Sequence, residues 1–291
     1  MLVSNRRDLA DGVRRFRSAL VRLGTRKALG CDLVAHFSYH KCLTAYYQSI
    51  MRALSAEFGF YYEHFTSDYE RFEHAALNDS RQRVLSVNNR SDIAWDRLPE
   101  YRGSHFIRDP RDLVVSGYHY HLWTREAWCH DPRFEWQDLT IHPYFGRYVE
   151  HVPEKFPRGL SYQEYINTLD PERGMILELI WRSRHFEQMR RWDFSNPRIM
   201  EVRYEDIIGN EADTFGRLLD HYGFPPSVVA RGVALAESKS IKHRSKSEKG
   251  HVHSGAAKQW EKEFTPLLRM LLRESAGHLL VQLGYEASTE W

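Results

Sequence analysis

Residues 33–47, Leu-Val-Ala-His-Phe-Ser-Tyr-His-Lys-Cys-Leu-Thr-Ala-Tyr-Tyr, constrain the fold of this chain more than any other stretch. Leu33, Val34, Ala35 and Phe37 make a short apolar run of the kind that fills a parallel sheet. From Thr44 onward the apolar residues change to helical spacing, at Tyr46, Tyr47, Ile50, Met51 and Leu54. A strand that feeds a helix through a loop leaves several amide N–H groups without partners at the helix start, and these attract an anion before any side chain is considered. Lys41 adds a point charge in that loop. Taken alone, the stretch is either an anion site or an ordinary turn whose lysine faces water.

The following segments continue the same rhythm. Phe58–Tyr62 reads as a second strand, about Asp68–Leu77 as a polar helix, and Arg83–Val87 as a third strand ending in Asn88-Asn89-Arg90. Ser104–Ile107 is a fourth strand that runs into Arg108-Asp109-Pro110, where proline in a first-turn position and aspartate before it start a helix. Short strands alternating with helices predict an α/β fold: a P-loop-like central parallel sheet flanked by helices. Residues 123–160 interrupt the alternation with three tryptophans, several histidines and four prolines, and their aromatic content predicts an ordered insertion that serves as a lid. A long helix from Asp170-Pro171 to Trp192 follows, then a strand at Arg198–Arg203 ending in Tyr204-Glu205-Asp206. Helices are expected at about Glu211–Tyr222, Pro226–Glu237 and Thr265–Leu283.

Length and composition set outer limits. At 291 residues the chain suits one α/β domain over 31–291 preceded by a separate segment. That segment, residues 1–30, carries eight Lys/Arg against two Asp, with Leu9, Val13, Phe16, Leu20 and Leu23 on one helical stripe. Such a basic amphipathic helix either packs on the domain or lies on an anionic membrane surface. A net charge of +2 gives no reason to expect nucleic acid as a partner. Three cysteines, an odd number without metal-ligand spacing, point to a reducing, cytoplasmic setting, with peripheral membrane contact only through the first helix.

Ligands of open parallel sheets bind at the carboxyl ends of the strands, so the loops at 38–44, 88–90 and 108–112 should converge with the turn after 204. Lys41, Arg90 and Arg108 bring cations there, and the basic loop 238–258 adds more. Several cations near a helix start suit a ligand with more than one anionic group. The Gly-x-x-x-x-Gly-Lys-Ser/Thr spacing of a Mg-ATP site is missing, and no metal site is expected.

Three pieces, in order, resemble the PAPS-dependent sulfotransferase family. His40-Lys-Cys-Leu-Thr-Ala-Tyr46 resembles its 5′-phosphosulfate loop, Pro-Lys-Ser-Gly-Thr-Thr-Trp. Arg108-Asp-Pro-Arg-Asp-Leu-Val-Val-Ser116 resembles the 3′-phosphate motif, with arginine and serine eight positions apart. Tyr204-Glu205-Asp206 resembles the family's Tyr-Glu-Asp segment. The resemblance implies transfer of a sulfuryl group from PAPS to a hydroxyl or amine, releasing PAP, by metal-free in-line displacement. Lys41 would stabilise charge on the leaving phosphate. The backbone from His40 through Lys41, Cys42, Leu43, Thr44 and Ala45 would cradle the 5′-phosphate, with Tyr46 on the adenine. Arg108 and Ser116 would hold the 3′-phosphate, Tyr204 would reach the adenine, and Ser238 or Ser240 would read the nucleotide. His253, Ser254 and Gly255 stand where the family has Arg-Lys-Gly.

The chain departs from that pattern at defined places. Leu43 replaces the loop glycine, and Ala45 replaces its second threonine. Cytosolic members carry a histidine as general base just after the third strand, where this chain has Asn88-Asn89-Arg90. Glu63 or His64, expected in the loop after the second strand, is the substitute base. The acceptor is expected to be a small molecule, a glycan or a lipid-like compound, met by the aromatic lid. Two other readings fit parts of the pattern: a P-loop kinase-like phosphotransferase with an eroded motif, and a non-catalytic module that binds PAP or another anion.

Overall fold

The computed structural model describes residues 31–79, 81–134, 159–240 and 255–291. The helix expected over 1–30, His253, Ser254, residues 135–158 of the expected lid and most of the basic loop lie outside them. The chain falls into two compact units, each assembled from two separate stretches of sequence.

The first unit takes its described residues from 31–107 and 193–240 and holds five parallel strands. These are β1 (Leu33–Ser38), β2 (Tyr61–Phe65), β3 (Arg83–Asn88), β4 (Tyr101–Ile107) and β5 (Ile199–Arg203), in the order β2-β3-β1-β4-β5. β1 is central and all six of its residues are buried, as its unbroken apolar run requires. Its alternate side chains serve opposite layers. Phe37 meets Phe72 of the Tyr69–Asn78 helix, whereas His36 stacks on Tyr47 of the Thr44–Phe58 helix with ring centroids 3.6 Å apart. On the His36 layer, Phe106 of β4 also meets Phe215 of the Glu211–Tyr222 helix. Both faces of the sheet are thus covered, and the expected α/β architecture is the observed one. Gly103 on β4 permits this spacing: a Cβ there would fall 2.5 Å from the Ala35 carbonyl oxygen of β1.

The second strand begins later than its sequence suggests. Phe58 is the last residue of the Thr44–Phe58 helix, and Gly59 ends that helix at φ 79 while its N–H bonds Ser55 O at 2.8 Å. Phe60 then turns the chain, its ring against Phe224, so β2 runs from Tyr61 to Phe65. Glu63 and His64 therefore lie within β2 and not in the loop after it, which corrects the expected placement of both.

The second unit takes its described residues from 108–134, 159–192 and 255–291. Its centre is the Pro110–His121 helix, packed on the Pro171–Arg191 and Pro266–Gln282 helices. Asp109 caps the first of these by accepting from Arg111 N at 2.9 Å, and Asp170 caps the second by accepting from Arg173 N at 3.0 Å. Each cap contributes about 1 kcal/mol to its helix. Gly117 is required because a Cβ would fall 1.9 Å from Glu178 Oε1 on the neighbouring helix. Among the described residues no helix is long and apolar enough to cross a membrane.

Candidate active site

In the first unit the loop after β1 turns sharply into the Thr44–Phe58 helix. Cys42 N donates to Tyr39 O at 3.0 Å, and Lys41 and Leu43 both take left-handed backbone angles, φ 70 and φ 61. Leu43 is the residue at the cap position, and it adopts the conformation a glycine would adopt at no cost. A side chain in this region costs about 1–2 kcal/mol per residue, so the loop is held under strain. Thr44 opens the helix with its hydroxyl 2.9 Å from Ser38 Oγ. No side chain caps the helix at Leu43, and Lys41 lies three residues before its first residue, Thr44. Ala45 is exposed and Cys42 is buried.

The carboxyl ends of β1, β2 and β3 are tied to one another. Asn89 Oδ1 accepts from His40 N at 3.0 Å, Asn89 Nδ2 donates to Ser67 Oγ at 3.1 Å, and Asn88 Oδ1 accepts from Ser67 N at 2.8 Å. These asparagines were read only as the place where a histidine is missing. The signal that marks them is two successive residues that tolerate left-handed backbone and bond neighbouring main chain, at a strand end. Arg90 does not join the Lys41 loop as a free cation: it pairs with Asp92 at 2.9 Å and lies over the Tyr69 ring.

The other nucleotide residues expected in this unit are packed or bonded. Tyr46 is buried, donates its hydroxyl to Ala236 O at 2.6 Å and meets Phe215 edge-on. Tyr204 is buried at the start of a short helix, Tyr204–Ile207. Ser238 donates to Leu235 O at 3.0 Å within its own helix, and Ser240 donates to Glu211 Oε1 at 2.6 Å.

Glu63 and His64 point to opposite sides of β2, as successive strand residues must. Glu63 accepts the Tyr61 hydroxyl and lies 3.6 Å from Arg71. His64 Nδ1 sits 2.9 Å from Ser86 Oγ, and burial, reinforced by Arg52, pushes its pKa down to about 4. That lowered value keeps the His64 imidazole neutral at pH 7.

In the second unit, Arg108 is 3% exposed and its Nη2 lies 3.9 Å from Asp112 Oδ2. Asp112 in turn accepts from Lys258 N at 2.7 Å and from Trp260 N at 3.1 Å, which ties the segment after Gly255 to the helix that follows Arg108 and carries Ser116. Burial raises the Asp112 pKa, opposed by Arg108. Gly255 is buried at φ 70. One turn beyond Ser116, His121 Nδ1 lies 2.6 Å from Glu178 Oε2, while Arg182 Nε is 2.6 Å from Oε1 and Tyr162 donates at 3.0 Å. Burial alone would raise the Glu178 pKa, but His121 and Arg182 outweigh it and hold the group at about 2. Trp128 stacks on Trp181 at 4.9 Å beside this cluster, so the described part of the aromatic insertion is packed against the Pro171–Arg191 helix.

A family model described as a sulfotransferase domain matches residues 105–282, more than half of the chain. The chain belongs to the sulfotransferase family. It is a PAPS-dependent sulfotransferase, and the kinase-like and non-catalytic readings are not favoured. No curated protein sequence matches it. Among solved structures, the mouse sulfotransferase SULT7A1 complexed with PAP is 13% identical over 90% of this chain and 91% of its own, with a TM-score of 0.44. Retinol dehydratase, in complex with androsterone and inactive cofactor PAP, is 13% identical over 86% of this chain and 80% of its own, with a TM-score of 0.46. The sulfotransferase match begins at His105, so it includes the arginine–serine motif and the Tyr-Glu-Asp segment. The Lys41 loop lies upstream of it, and its assignment rests on its own residues.

Proposed function

We propose that this sulfotransferase acts on a hydroxyl or amine of a small molecule, a glycan or a lipid-like acceptor, using Lys41 on the donor's phosphosulfate. The S–O bond to the 5′-phosphate breaks as a new bond forms from sulfur to the acceptor, S–O for a hydroxyl and S–N for an amine, whose proton passes to a base; PAP leaves. The observation that carries this reading is the Lys41 loop. It is a strained turn at the head of a 15-residue helix, with a lysine among amides that a helix start leaves without internal partners. Lys41 offsets the charge that builds on the leaving phosphate oxygen, and the amides of residues 42–45 with the Thr44 hydroxyl hold the same phosphate. Arg108 and Ser116 take the 3′-phosphate, the group that sets this donor apart from ATP. A buried arginine with Asp112 at 3.9 Å, at the start of the helix that carries Ser116, suits a dianionic group by charge and by its bidentate fork.

Glu63 or His64, successive residues of β2, is the base we propose. No step requires a metal. The odd number of cysteines, all three free and buried, supports a reducing, cytoplasmic setting, and the basic segment 1–30 supports peripheral contact with an anionic membrane.

The test heats the protein with PAP, Mg-ATP or sulfate, and then follows sulfate from PAPS into a broad acceptor panel. PAP should stabilise the protein beyond sulfate and Mg-ATP. No such advantage for PAP would sink the donor assignment. Lys41→Ala should lower turnover at least a hundredfold with little change in PAP affinity, whereas Arg108→Ala should mainly weaken PAP binding. Equal losses of affinity in the two variants would overturn the division of roles.

A further inference from the structure

Non-glycine residues with left-handed backbone are uncommon, and five occur among the described residues: Lys41, Leu43, Ser67, Asn89 and Lys258. Four of them stand together at the carboxyl ends of three adjacent strands. Lys41 (φ 70) and Leu43 (φ 61) follow β1, Ser67 (φ 54) follows β2, and Asn89 (φ 58) follows β3. Strain of this kind persists only where the surroundings over-determine it, and it gathers at working sites. The Asn89 amide supplies that determination. Its oxygen accepts from His40 N, the residue before Lys41, and its nitrogen reaches Ser67 Oγ, while its own N–H bonds Ser38 O at 2.9 Å.

We propose that Asn89 is a positioning residue for the Lys41 loop. A glycine at position 43 would take φ 61 unaided; with leucine there, the amide of Asn89 pins the loop from the neighbouring strand. Asn89 therefore has a task different from that of a base: an amide does not titrate, and both of its ends are engaged. Through His40 it sets where the Lys41 ammonium and the first-turn amides stand, without touching the donor. The inference rests on the reading of that loop as the 5′-phosphosulfate site.

The cleanest variant is Asn89→Gly, which keeps φ 58 open to the backbone and removes only the side-chain clamp. Two measurements decide the matter. Amide hydrogen exchange at His40 should rise at least tenfold. PAP affinity should fall at least tenfold, while adenosine 3′-phosphate, which lacks the 5′ group, should stay within twofold. Adding Leu43→Gly to Asn89→Gly should restore at least half of the lost PAP affinity on a logarithmic scale. Unchanged exchange at His40, equal losses for the two nucleotides, or a second loss from Leu43→Gly would each overturn the proposal. If the unaltered protein binds no PAP, the donor reading falls, and exchange at His40 still decides whether the clamp exists. Should Asn89→Gly not fold, Ser67→Ala removes the hydroxyl at the far end of the amide, and it should move the same readouts in the same direction by less; no movement there is equally fatal.

Discussion

Glu178 shows most directly how single residues hold the second unit together. Its carboxylate is fully buried and serves Arg182, His121 and Tyr162 at once. Breaking such a set by removing the charge leaves Arg182 buried without its counter-ion, so Glu178→Gln should cost about 3–5 kcal/mol in denaturant unfolding. A loss below about 1 kcal/mol would mean that water reaches the arginine. Only the Arg182 pair, four positions on, could be read in the sequence; His121 and Tyr162 lie 57 and 16 positions away. Lys41, Arg108 and Ser116 could be singled out in the sequence because the resemblance that marks them is carried by local spacing. Asn89 and Asp112 were not, since each works through main-chain groups that only the folded chain brings within reach.

Elements with a strong internal pattern were placed well, and those bounded by a single residue's backbone were not. The helix Glu211–Tyr222 begins and ends where its periodicity says. β2 is offset because Gly59, read as part of the strand Phe58–Tyr62, instead closes the preceding helix. That offset carries chemical weight, since it moves Glu63 and His64 onto opposite faces of an edge strand. It also makes β2 sensitive to pH. His64 is held at about 4 in the folded protein against an ordinary value near 6.5. The unfolded chain therefore binds a proton that the folded one refuses. The stability this confers is complete above pH 6.5 and is lost as the pH falls toward 4. His36, lowered by burial with His64 and His105 adding to it, acts in the same direction. Melting temperature should fall across that window, and His64→Asn, which keeps a partner for Ser86, should flatten the slope. An identical slope in the variant would assign the effect elsewhere.

The Lys41 loop belongs to the first unit, and Arg108 with Ser116 to the second; the function proposed above assigns both to the donor. Bound PAP should therefore slow amide exchange in residues 38–46 and in residues 108–116 alike, and at a hundredfold excess over its dissociation constant it should add about 2.7 kcal/mol to unfolding. Protection confined to one stretch would mean that the other has been misassigned. The fold class was readable at this scale because strands and helices alternate, but the interleaving was not, because no compositional change marks the points near 107 and 193 where the chain passes from one unit to the other. That interleaving has a kinetic side. Ile199 of β5 pairs with Gly103 of β4, partners separated by 199 − 103 = 96 positions. During synthesis on the ribosome, β4 emerges with one edge bare and waits for that whole interval before its neighbour exists. Contacts of such long range are slow to form, and a bare strand edge recruits other chains. The emerging chain thus passes through a period in which the edge of β4 that will pair with β5 is open to other chains.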